Sequence, residues 1–188
     1  MIHNSPFIIQ GIFMSRNDLL RRVGILCCNF FRNMAFYRAG RVNNLHIDKS
    51  NFWNTVNGNF LDICILEWLK LFGERNGKQS WEKAITDKVL FKSNLLKSLE
   101  LTEDGFNLYV LEMRTYRDKF VAHLDYDKTA QIPHLEIALK SVNYLYNYLL
   151  ANEEESDCFF DAPPDALNYY KSILLEGQLI HSILAKGI

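Results

Sequence analysis

Neither sign of charge prevails in this chain. Its 188 residues carry 21 Lys and Arg against 22 Asp and Glu, a formal net charge of −1. A protein that grips duplex DNA through its backbone usually carries a strong basic excess. The balance therefore argues against broad phosphate-backbone binding and leaves room only for a small local basic site. Long apolar runs are missing too. No stretch approaches the roughly 18 uncharged apolar residues of a membrane span. The apolar N-terminus, MIHNSPFIIQGIFM, lacks the basic segment that opens a signal peptide. The expectation is a cytoplasmic protein without a membrane partner.

The chain also lacks the usual chemistry-bearing motifs. There is no P-loop, no G-x-G-x-x-G, no H-E-x-x-H, no nucleophile elbow and no EF-hand loop. The four cysteines, Cys27, Cys28, Cys64 and Cys158, form no C-x-x-C pair and match neither a zinc site nor a disulfide framework. They read as reduced core residues. Of His3, His46, His123, His134 and His181, no two stand four residues apart on one helix, so a metal site has no local support. Asp125 and Asp127 in DYD lack the further ligands a cation needs and read as a solvated loop. Neither a metal nor a cofactor is expected.

No segment shows period-two alternation, so strands are not expected; what is present is helical periodicity. Apolar residues make up 48% of the chain, enough to argue against disorder. Residues 1–14 read as an N-terminal extension and 15–188 as a single helical domain. Ser15 opens SRND, a capping-box-like start in which Asp18 reaches back to the cap. The helix that follows is expected to end near Ala39-Gly40, where glycine suits a C-terminal cap. Ser50 caps a second helix that ends at Gly73, and Gly58 inside it marks a close helix contact. Ser80 to Glu100 reads as a short helix and a longer one, or as one bent helix. Thr102 caps a fourth helix, from Glu103 to about His123. Pro133 closes a linker before a fifth helix, and the acidic EEESD after that helix reads as solvated. A sixth helix opens with proline in its first turn. The expected architecture is all-α, an up-and-down bundle of about five to six helices.

The fourth helix carries the candidate site, YRDKFVAHLD, Tyr116 to Asp125. At about 100° per residue, Tyr109, Val110, Met113, Tyr116, Phe120, Val121 and Leu124 share one broad arc, the core face. Glu112, Thr115, Asp118 and Lys119 fall mainly outside it. Arg117 points into the arc, between Phe120 and Val121. A guanidinium there must be paired or must line a polar cavity. His123 borders the same arc about 120° from Arg117 by the same geometry, so one helix alone does not bring the two into contact. Two plain structural roles exist: Arg117 pairing with a carboxylate or with helix-end carbonyls, and His123 capping the helix C-terminus.

An all-α chain with Arg117-Asp118-Lys119-Phe120-Val121-Ala122-His123 near the end of a late helix resembles the HEPN superfamily and its R-x(4–6)-H motif. YRDKFVAHLD, together with FLDICILEWLKLFG and the Trp-containing helix after it, resembles in particular the AbiU2-like group. The likeness covers about Asn51 to Leu150. It implies a HEPN-like bundle and a metal-independent endoribonuclease of a phage-defence or toxin–antitoxin system. Two subunits would join their motif helices into one composite Arg/His site. Arg117, His123 and Asp118 would then be catalytic, and Tyr116 and Lys119 would bind substrate. RNA is the implied substrate, a second copy the implied partner, and an antitoxin protein a further one. Two other readings stand beside this: a non-catalytic HEPN-fold protein that binds RNA, a nucleotide or an antitoxin, and a bundle in which Arg117 and His123 serve structure only.

Overall fold

The computed structural model describes residues 15–42, 50–74, 76–122, 131–153 and 158–186. The expected extension 1–14, and His123, Leu124, Asp125 and Asp127 of the motif region, lie outside the described residues. Among the described residues there are helices and no strands. They are α1 (Arg16–Arg41), α2 (Asn51–Trp68), α3 (Trp81–Ala84), α4 (Lys88–Leu99), α5 (Glu103–Tyr116), α6 (Leu135–Asn152) and α7 (Ala166–Lys186). A π-helical turn continues α2 over Leu69–Gly73, and another continues α5 over Arg117–Ala122.

The helix starts follow local chemistry. Ser15 Oγ accepts from the Asp18 N–H at 3.1 Å and donates to the Asp18 carboxylate at 2.8 Å. Ser50 caps α2 through the Trp53 N–H, and Thr102 caps α5 through the Gly105 N–H. Asp87 accepts from Leu90 N–H and starts α4 as a separate helix, which settles the choice between one bent helix and two. Asp165 accepts from Asn168 N–H and starts α7 at Ala166. The two prolines therefore precede α7 rather than forming its first turn, and the Pro163 carbonyl accepts from the Tyr146 hydroxyl at 2.6 Å.

Two expectations about glycine are corrected. Gly40 is a buried residue inside α1, which runs on to Arg41 with an extended cap at Val42. Gly58 makes no close helix contact: a Cβ built there would meet no atom of another element within 4 Å. The close helix contact is at Gly177 on α7, where a Cβ would lie 2.7 Å from Ala39 Cβ. Gly58→Ala should accordingly stabilise the fold by about 1 kcal/mol, the helix-propensity difference, read as a higher urea midpoint at constant m-value.

α1 sits in the middle of the molecule and packs against α2, α6 and α7. Leu20, Val23, Cys27, Phe30, Phe31 and Met34 are fully buried, which explains why this helix has no wide polar face. The pairs Phe36–Phe60 and Cys64 Sγ to Phe30 O set α2 antiparallel to α1. Arg16–Glu153 and Arg38–Glu136 set α6 antiparallel to α1. A strictly alternating six-helix chain would set its first and fifth helices parallel. Here the stretch from Ser80 to Glu100 forms two helices, α3 and α4, which adds one reversal before α6.

The core is rich in aromatic rings. Trp68 is fully buried, stacks on Phe72 and meets Tyr109 edge-on at 5.1 Å. Its Nε1 donates to Ser141 Oγ at 2.8 Å, and that hydroxyl donates to the Ala138 carbonyl. The buried indole N–H is thus satisfied. Cys27, Cys64 and Cys158 are buried and Cys28 is half-buried, all as free thiols. Burial pushes the Cys27 thiol well above its ordinary value, away from the thiolate that reactivity needs. No helix among the described residues is long and apolar enough to cross a membrane.

The acidic stretch after α6 is not wholly solvated. Glu153 is buried, 4% exposed, and binds Arg16 and Thr86. Residues 154–157 lie outside the described residues.

Candidate functional site

The site stands at the end of α5 and in the π turn that follows it. Tyr109, Met113 and Tyr116 are buried, and Val110, Phe120 and Val121 pack half-buried against the same core. The apolar arc read from the sequence is therefore the buried face. The helix hands over to the π turn at Arg117. A π turn bonds i to i+5 and is wider than an α turn, so the 100° step no longer holds from Arg117 onward. The 120° offset expected between Arg117 and His123 does not follow from this backbone.

Arg117 is held by carboxylates of its own chain. Its Nε donates to Asp118 Oδ1 at 2.8 Å. Its Nη1 lies 3.5 Å from Glu74 Oε1. The Arg117 side chain remains 27% exposed, beside Asp118 and Glu74 side chains that are 57% and 48% exposed. This is a solvent-accessible charge cluster rather than a buried ion pair. One turn earlier, Arg114 donates to the Gly73 carbonyl at the end of the α2 π turn. Asp118 thus orients Arg117 within one chain.

Tyr116 is tied differently. Its hydroxyl donates to Asp62 Oδ1 on α2 at 3.1 Å, and its ring packs on Phe120 with centroids 5.3 Å apart. Burial pushes the Asp62 carboxyl above its ordinary value, and the Tyr116 hydrogen bond pulls it part of the way back. Burial also pushes the Tyr116 hydroxyl up, reinforced by the Asp62 charge. The phenol therefore stays protonated at neutral pH and keeps its donor role.

Tyr116 and Lys119 meet at a cavity of about 910 Å³ between α5 and Gln131–His134. Leu108, Leu111, Glu112 and Thr115 complete its α5 wall, and Phe120 joins them from the π turn. Arg117 does not line this cavity. The five predicted site residues thus divide into a bonded pair, Arg117 with Asp118, a cavity pair, Tyr116 with Lys119, and His123, which lies outside the described residues. Glu74, Asp62 and Arg114 were missed by sequence reasoning. Asp62 alone left a signal, a single acid inside the apolar run FLDICIL.

Among the described residues no group of three or more His, Cys, Asp or Glu could hold a metal ion. Comparison of the chain with protein-family models, curated proteins and solved structures found no match.

Proposed function

We propose that this chain is a HEPN-type endoribonuclease that cleaves RNA in the cytoplasm as a homodimer, without metal or cofactor, in a phage-defence or toxin–antitoxin system with an antitoxin protein as a further partner. The observation that carries the reading is the state of Arg117. The motif arginine is accessible to solvent, and its Nε edge is fixed by the adjacent Asp118. A positioned guanidinium can take a phosphate through two parallel N–H bonds. Leu108 and Leu111, 62% and 58% exposed on the same helix, offer a second copy an apolar surface to cover.

In this mechanism the RNA 2′-oxygen attacks the adjacent phosphorus and the 5′-oxygen leaves. The products are a cyclic phosphate and a 5′-hydroxyl. His123, with an ordinary pKa near 6.5, moves the proton of the 2′-hydroxyl or of the leaving group. Arg117 stabilises the charge that builds on the phosphorane oxygens. Asp118 positions Arg117, and Lys119 and Tyr116 contact the flanking nucleotide.

A second reading is favoured by Glu74. An arginine with a structural task is satisfied by carboxylates of its own chain, and among the described residues Arg117 is paired with two. In that reading the protein is a helical bundle in which Arg117 serves structure only, tethering the end of α5 to the segment after α2. The deciding experiment is RNA cleavage in the presence of a chelator, comparing wild type with His123→Ala. The enzyme reading expects a cyclic-phosphate product and a loss of at least about a hundredfold, the scale of one general acid or base. Equal activity in both proteins removes His123 from catalysis, and wild type that leaves RNA intact leaves the second reading.

A further inference from the structure

We infer that Glu74 is a further determinant of this site: its carboxylate occupies the place on Arg117 that an RNA phosphate takes, and so sets the affinity for RNA. The inference rests on the endoribonuclease reading of Arg117.

Glu74 is the first residue after the α2 π turn, and its backbone is fixed on both sides. Its N–H donates to the Leu69 carbonyl at 3.0 Å, and its carbonyl accepts from Gly77 N–H at 2.8 Å. The neighbouring Gly73 carbonyl is held by Arg114. A built turn therefore places the Glu74 backbone beside Arg117, and from it the carboxylate reaches the guanidinium.

The two carboxylates on Arg117 do different work. Asp118 takes Nε at 2.8 Å, a well-formed hydrogen bond. Glu74 stands off Nη1 at 3.5 Å with half its side chain in solvent. An exposed pair of this kind is weak, whereas a phosphate on the guanidinium forms paired charge-assisted bonds. The Nη edge that a phosphate needs is the one Glu74 faces, through Nη1. RNA must therefore displace Glu74, and after displacement the carboxylate remains beside the phosphate as a like charge. Glu74→Gln keeps the size and the acceptor oxygen and removes the charge.

The test is fluorescence anisotropy of a 2′-O-methyl RNA oligonucleotide, which binds without being cleaved, at one fixed salt concentration. Wild type, Glu74→Gln, Arg117→Ala and the double variant are compared. Glu74→Gln should bind roughly three- to five-fold more tightly, which is about 0.6–1 kcal/mol at 1.4 kcal/mol per decade. The gain should vanish when Arg117 is alanine. Unchanged or weaker binding by Glu74→Gln overturns the inference, and so does an equal gain in the Arg117→Ala background, which would mark a general charge effect. RNA binding that depends on Arg117 but ignores Glu74 sinks the role of Glu74 alone. Binding that ignores Arg117 with and without Glu74→Gln sinks the reading of Arg117 and the role of Glu74 together.

Discussion

Arg117→Ala should lower chelator-resistant RNA cleavage by at least about a hundredfold, the cost of removing one preorganised donor from a developing oxyanion. The same change should cost the fold no more than about 1 kcal/mol. Both carboxylates that hold Arg117 are about half in solvent, and exposed ion pairs contribute about 0–1 kcal/mol. The combination separates the two readings of the motif. A tether that does no chemistry would show its loss in unfolding and not in turnover. Single-turnover cleavage and urea denaturation on the same preparations supply both axes. Arg117→Lys sharpens the result, because an ammonium keeps the charge but loses the planar fork. It should restore stability fully and cleavage only in part. Wild type that leaves RNA intact, beside an Arg117→Ala variant that unfolds much earlier, would sink the enzymatic reading.

How much of this site was visible in the sequence depends on the range of the interaction. The helix starts were legible, because Ser15, Ser50 and Thr102 act on N–H groups three residues away. The buried arc of α5 was legible for the same reason: Tyr109, Met113 and Tyr116 repeat at helical spacing. The π turn at Arg117 was not, since nothing in RDKFVA announces an i to i+5 bond. That single change of pitch undoes the angular argument that related Arg117 to His123. Gly58 and Gly177 look alike in sequence, yet one faces open space and the other lies against Ala39. Glu74 reads as a loop acid until the turn after α2 delivers it to Arg117. What escaped the sequence in each case is a contact between residues distant in the chain, or a departure from ideal α geometry.

Glu153→Ala should destabilise the fold by about 3 kcal/mol, the low end of the range for breaking a buried ion pair. Glu153 was expected to sit in a solvated acidic run, where a substitution changes stability by only about 0.5 kcal/mol. Its side chain is instead 3% exposed. Oε1 accepts from the Thr86 N–H at 2.7 Å, and Oε2 accepts from the Thr86 hydroxyl at 2.7 Å and from Arg16. Arg16 also donates to the Ala84 carbonyl at 3.1 Å. One carboxylate therefore fastens the start of α1, the joint between α3 and α4, and the end of α6. Alanine would leave the Thr86 N–H and the Arg16 guanidinium without this partner, each a cost beyond the lost bond itself. Arg16 is about one-third exposed, so water recovers part of that cost, and this places the expectation near 3 rather than 5 kcal/mol. Glu153→Gln keeps an oxygen for the Thr86 N–H and gives up the charge, so about half the loss should remain. In thermal unfolding the alanine variant should melt roughly 6–12 °C lower, at about 2–4 °C per kcal/mol for a domain of this size. Equal stability of wild type, glutamine and alanine proteins would mean that the network does not hold in solution. A graded loss would identify Glu153 as a residue that locks the start of α1, the helix on which α2, α6 and α7 all pack.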